Sequence, residues 1–107
     1  MLFRSATAEY RAVLATEPAN AKALRGAGFC YIRSADYRAA VRSYEAATKA
    51  EPSNADGWAG LGNAYLGLKQ WDAAQKAFDK ARAIDPSNAT MKKGLELLNA
   101  AKRGTGH

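Results

Sequence analysis

The sequence predicts an all-α fold, an α-solenoid of antiparallel helix hairpins, and three observations carry that expectation. First, the chain repeats itself: its prolines, Pro18, Pro52 and Pro86, stand 34 residues apart. The same offset pairs Glu17 with Glu51 and Asp85, Asn20 with Asn54 and Asn88, Ala6 with Ala40 and Ala74, and Tyr10 with Tyr44 and Phe78. Gly26, Gly60 and Gly94 recur in the same way. Self-similarity at a fixed period of ~20–50 residues marks a solenoid, in which one supersecondary unit stacks on the next. Second, apolar residues between the prolines fall three and four apart, the spacing of one helix face. Third, each proline follows such a run and disfavours helix in the residue before it, so it ends one unit before the next begins.

The most regular unit, Ala55 to Asn88, carries Trp58, Leu61, Gly62, Tyr65, Ala74, Phe78, Ala81 and Pro86 in order. This resembles the tetratricopeptide repeat, whose W-x2-L-G-x2-Y…A-x3-F…P pattern is met at every place. The unit before it, Ala21 to Asn54, offers Leu24, Ala27, Gly28, Tyr31, Ala40, Tyr44, Ala47 and Pro52, with Leu24 in place of Trp and Ala27 in place of Leu. The resemblance covers a half repeat, two full repeats and a trailing helix. It implies a single domain over 1–103.

From about Phe3 to Thr16 the apolar residues Phe3, Ala6, Tyr10, Val13 and Leu14 predict a helix. By register it is the second helix of a repeat whose first helix is missing. The chain is therefore expected to be a piece of a longer array, or to have this stripe covered by another copy or another protein. Asn20 is placed to cap the next helix, Ala21 to about Arg33. Ser34-Ala35-Asp36 makes the turn into Tyr37–Ala50, where Ala27 and Gly28 face Ala40 and Ala47 and let the hairpin close tightly. The second repeat is expected as helices Ala55–Gly67 and Trp71–Ile84, joined by Leu68-Lys69-Gln70, with Trp58 and Trp71 as core aromatics. A last helix, Ala89 to about Lys102, sets Met91, Leu95 and Leu98 on one face and Lys92, Lys93, Glu96, Asn99 and Lys102 elsewhere, as a polar-backed terminal cap should. Residues 104–107 are expected to be disordered.

Composition limits function without naming it. No apolar run approaches the ~18 residues of a membrane span, and Met-Leu-Phe-Arg-Ser-Ala-Thr contains no stretch suited to a secretory signal. The single cysteine precludes an internal disulfide and fits a reducing compartment, so a cytoplasmic location is the expectation. Sixteen Lys and Arg against ten Asp and Glu give +6 and a pI of about 9.7, a balance that favours acidic partners or simply keeps a helical surface solvated. Arg4, Arg11, Arg38, Arg42, Lys76 and Lys80 are scattered over helices with no interleaved exposed aromatics, which argues against nucleic acid.

The parts of an enzyme are missing. His107 is the sole histidine and lies at the end of the chain, so no Ser-His-Asp or Cys-His arrangement can be assembled in an ordered site. One Cys30 and one His cannot build a zinc site. The G-x-G pairs at Gly26/Gly28 and Gly60/Gly62 fall inside helices, whereas a phosphate-cradling loop needs them between strand and helix. No catalytic residue, cofactor or metal is expected.

The resemblance implies instead that the first helices of successive repeats line a concave groove that holds a peptide segment of another protein. Transferred residue by residue, the groove presents Lys22, Arg25, Phe29 and Arg33, then Asp56, Ala59, Asn63 and Leu66, then Lys93 and Leu97 from the terminal helix. Such a mixed surface suits a peptide with an acidic residue beside an apolar anchor resting on Phe29 and Leu66. One subgroup of the family grips a C-terminal carboxylate with Lys, Asn and Arg side chains; Arg25 could stand for the first Lys, but Phe29 and Gly60 occupy the places of the two Asn and Thr90 with Gly94 those of the last pair, so that clamp is absent. A competing reading makes these residues the solvent face of a short array. The alternative function is self-assembly, a homo-oligomer formed through Leu2, Phe3, Tyr10 and Leu14 on the first helix.

Overall fold

A computed structural model of the chain describes residues 6–105. Within them six helices follow one another without a strand: α1 (Ala6–Thr16), α2 (Ala21–Arg33), α3 (Tyr37–Ala50), α4 (Ala55–Gly67), α5 (Trp71–Ile84) and α6 (Ala89–Thr105). The helix starts at Ala21, Ala55 and Ala89 repeat one device. Asn20 Oδ1 accepts the Ala23 amide at 2.9 Å, Asn54 Oδ1 that of Asp56 at 2.9 Å and Asn88 Oδ1 that of Met91 at 2.9 Å, each satisfying an N–H that the first turn leaves free. At the foot of the last such turn the Ser87 hydroxyl and amide both donate to Asp85, at 2.7 and 3.0 Å, and hold its carboxyl below the usual range.

The helices pack as hairpins, α2 on α3 and α4 on α5, and the second helix of each hairpin leans on the first helix of the next. Helices α2, α4 and α6 also touch side by side, so α4 is surrounded by α2, α3, α5 and α6. Rings set into glycine gaps make the layers close. Tyr44 lies between Gly28 and Gly60, where an added Cβ would come within 2.6 and 2.2 Å of its ring atoms. Phe78 lies between Gly62 and Gly94 in the same way, at 2.5 and 2.3 Å. The 34-residue period in the sequence is therefore a packing period: a ring at 10, 44 or 78 needs glycines at the matching places on the helices beside it. The core continues through Ala40, Ala47, Ala59, Ala74, Ala81, Met91 and Leu98, all at most 1% exposed.

Two expectations change. Helix α6 runs on to Thr105, past the expected end at Lys102 and into the segment expected to be disordered. Trp58 and Trp71 pack against the core, as expected of core aromatics, but both are only partly buried. Among the described residues no helix is long and apolar enough to cross a membrane, and no group of three or more His, Cys, Asp or Glu is placed to hold a metal.

Candidate peptide-binding groove

The side-by-side helices α2, α4 and α6 form a groove of about 720 Å³, lined also by Tyr37 and Trp71 from the second helices. Phe29 and Ile32 come from α2, Asn63 and Leu66 from α4, and Lys93, Leu97 and Ala101 from α6. Phe29 and Leu97 are large apolar side chains that remain 54% and 51% exposed. The Arg33 guanidinium stands 5.8 Å from the centre of the Phe29 ring, a contact of ~0.5–1 kcal/mol at an exposed site that steadies both side chains. Lys93 enters no ion pair among the described residues. The groove thus combines a half-exposed apolar surface, one amide and a free ammonium.

Of the residues the sequence assigned to this surface, Phe29, Asn63, Leu66, Lys93 and Leu97 are brought together. Arg33 reaches the edge through Phe29, and Lys22 is exposed outside the lining. Three others do different work. Ala59 is 0% exposed, because both α2 and α6 pack on α4, and it offers no surface to a ligand. Arg25 donates to Glu51 Oε1 at 2.6 Å, joining α2 to the loop after α3. Asp56 accepts Asn88 Nδ2 at 2.8 Å, tying the start of α4 to that of α6. Ile32, Trp71 and Ala101 were not assigned to the groove; Ile32 lies one turn beyond Phe29 on α2, and that spacing was the available signal.

On α1, Tyr10 is half-buried with its ring against Gly26 of α2, and Leu14 is half-buried. Leu2 and Phe3, the other residues assigned to self-association, lie outside the described residues.

Stacked antiparallel hairpins with an open groove along their first helices define a helical-repeat protein. The family model described as "Tetratricopeptide repeat" matches residues 32–98, more than half of the chain, and the chain belongs to that family. Among solved structures it is similar to the tetratricopeptide domain of Sgt2 from Aspergillus fumigatus, with a TM-score of 0.82 at 25% identity over 91% of this chain; it spans 66% of that domain's length. It is similar to the domain of Arabidopsis OM64 (TM-score 0.82, 19% identity, 89% of this chain and 78% of that one). It also resembles the second such domain of human RPAP3, solved with an HSP70 peptide (TM-score 0.78, 21% identity, 84% and 75%). Among curated proteins no sequence match is found.

Proposed function

We propose that the chain is a protein-interaction module that holds a peptide segment of a partner protein in the groove of α2, α4 and α6, an apolar anchor resting on Phe29, Leu66 and Leu97 and an acidic residue meeting Lys93. The observation that carries this reading is the pair of half-exposed side chains, Phe29 and Leu97, in one groove of about 720 Å³. Apolar area kept in water inside a concave surface is area that a ligand can cover, at ~25 cal/mol per Å². The family supports it, and two domains of similar fold were solved with chaperone peptides, one of HSP70 and one of HSP90. The peptide taken here is of another kind. Clamp side chains are absent at Phe29, Gly60, Thr90 and Gly94, and Gly60 and Gly94 lie against the rings of Tyr44 and Phe78.

The test is selection of binders from a random peptide library displayed against the whole chain, followed by titration of the enriched peptides into variants. Enriched peptides should join an acidic residue to a large apolar one. Phe29→Ala should weaken them at least ~10-fold, about 1.4 kcal/mol, and Lys93→Glu should remove the preference for acid. Unchanged affinity in both variants, with circular dichroism confirming the fold, would refute the groove.

A further inference from the structure

A second trough opens on the opposite side of the array. While α2, α4 and α6 touch, α3 and α5 have no Cα atoms within 8 Å of one another. The gap between them is floored by Trp58, Leu61 and Tyr65 of α4 and encloses about 800 Å³. Its α5 wall is built from Ala73, Ala77 and Ala83, short side chains that let a guest approach, and its rim carries Lys49, Lys76 and Lys80.

The polar atoms of the floor are already engaged. Trp58 Nε1 donates to the Pro52 carbonyl at 2.9 Å and the Tyr65 hydroxyl to the Glu45 carboxylate at 3.3 Å, so the aromatic rings, not their polar ends, remain for a ligand. The carboxylates at the trough are engaged too: Glu45 by Tyr65, and Asp79 by Arg82 at 2.9 Å and Gln75 at 3.0 Å. None of Lys49, Lys76 and Lys80 enters an ion pair among the described residues; the Lys80 ammonium lies over the Trp58 ring, 5.4 Å from its centre, a contact that a guest on that ring would replace with one to its own carboxylate. The surface is an apolar floor under a rim on which three lysines outnumber two carboxylates, and of these Asp79 is already paired with Arg82.

We infer that this rear trough docks an acidic amphipathic helix of a partner protein, its apolar face on Trp58, Leu61 and Tyr65 and its carboxylates on Lys49, Lys76 and Lys80. The α5 wall from Ala73 to Ala83 is about 15 Å long at 1.5 Å per residue, close to three turns of a guest helix. Lys76 and Lys80 stand one turn apart and match carboxylates spaced i,i+4 on the guest. A second copy of the chain is a poor occupant, since it carries the same charge of +6 and like charges oppose docking.

The two tryptophans separate this surface from the front groove, because Trp58 floors the trough and Trp71 lines the groove. The probe is a synthetic 14-residue helix with leucines on one face flanked by glutamates, and the control is its lysine-flanked twin. With the Trp71→Phe chain, which keeps Trp58 as the only indole, the acidic helix should shift the emission, and added salt should weaken its binding. Affinity should fall at least ~10-fold when Lys76→Glu and Lys80→Glu are introduced together, both being exposed residues, with circular dichroism unchanged. In the Trp58→Phe chain the emission of Trp71 should not respond to this probe. No change at Trp58, a response at Trp71 alone, equal binding of the lysine twin, or equal affinity in the charge-reversed chain would each overturn the inference. None of these results bears on the peptides selected for the front groove.

Discussion

Ala35 and Lys69 hold φ of 61° and 60°, the left-handed region that costs a side-chain-bearing residue ~1–2 kcal/mol. The reason lies in the hydrogen bonds around them. Asp36 N–H donates to Tyr31 O and Ala35 N–H to Ile32 O, at 2.8 and 2.9 Å, and Gln70 and Lys69 repeat the pattern to Tyr65 O and Leu66 O, both at 3.0 Å. This paired closure of a helix end needs one left-handed residue and usually finds glycine there. Lys69→Gly and Ala35→Gly should each stabilise the protein by ~0.5 kcal/mol, the relieved strain exceeding the entropy that glycine adds to the unfolded chain; thermal melts should show a higher midpoint. Tyr44 sets a second expectation. Burial, with a smaller contribution from Cys30, pushes its phenol up to about 12, whereas the unfolded chain loses that proton near ~10. The folded state binds more protons between those values, so Tyr44's contribution is intact below about pH 10 and is lost as the pH rises to 12, by at most ~1.4 kcal/mol per unit. Phenylalanine already fills the equivalent place at Phe78. Tyr44→Phe should therefore be close to neutral at pH 8 and should flatten urea-derived stability between pH 10 and 12. Part of the slope should survive, because Tyr65 is also raised, by burial and then by Glu45.

Helix α4 contains four glycines, Gly57, Gly60, Gly62 and Gly67, each worth ~1 kcal/mol less than alanine in a helix interior. Packing decides whether that deficit can be recovered. A Cβ on Gly60 would come within 2.2 Å of Tyr44 Cε1, and the ring cannot retreat because Gly28 of α2 holds its other side. A Cβ on Gly57 would meet Thr48 Cγ2 at 3.4 Å, an ordinary contact. Gly60→Ala should therefore destabilise by ~1–2 kcal/mol, overpacking outweighing propensity, while Gly57→Ala should stabilise by ~0.5 kcal/mol; chemical denaturation of the two variants side by side checks the opposite signs. The bounds of α2, α3, α4 and α5 match those read from the sequence: asparagines cap α2 and α4, prolines follow α3 and α5, and the short turns 34–36 and 68–70 separate the two helices of each hairpin. The end of α6 was not readable, for no proline follows it and Gly104 alone does not stop a helix. Nor was the half-exposure of Trp58. The spacing of residues on α4 reports which side faces the hairpin partner α5, but not that α3 stands off from α5 and leaves the ring uncovered.

The same distinction runs through the whole molecule: features set within one repeat were readable, and features set between repeats were not. Phe29, Asn63, Leu66 and Lys93 reach the groove by their register on one helix. Arg25 and Asp56 are engaged by Glu51 and Asn88, and Ala59 is covered by neighbouring helices; all three depend on how one unit sits on the next. A structure held together by neighbour contacts alone should also lose stability from its ends, since each unit contributes its own term and an interface term. Among the described residues α1 packs only on α2, α6 packs on α4 and α5, and α4 packs on four helices. Native-state hydrogen exchange should therefore find the fastest opening in α1, intermediate opening in α6 and the slowest in α4, instead of one common free energy. The interface of α6 is centred on Phe78, 0% exposed against Gly62 and Gly94, and its removal should cost ~3–5 kcal/mol. Phe78→Leu, which leaves a smaller void, should speed exchange in α6 and α5 while the amides of α2 keep their protection. Equal acceleration in α2 would mean that the array unfolds as a single unit and that its interfaces are not separable.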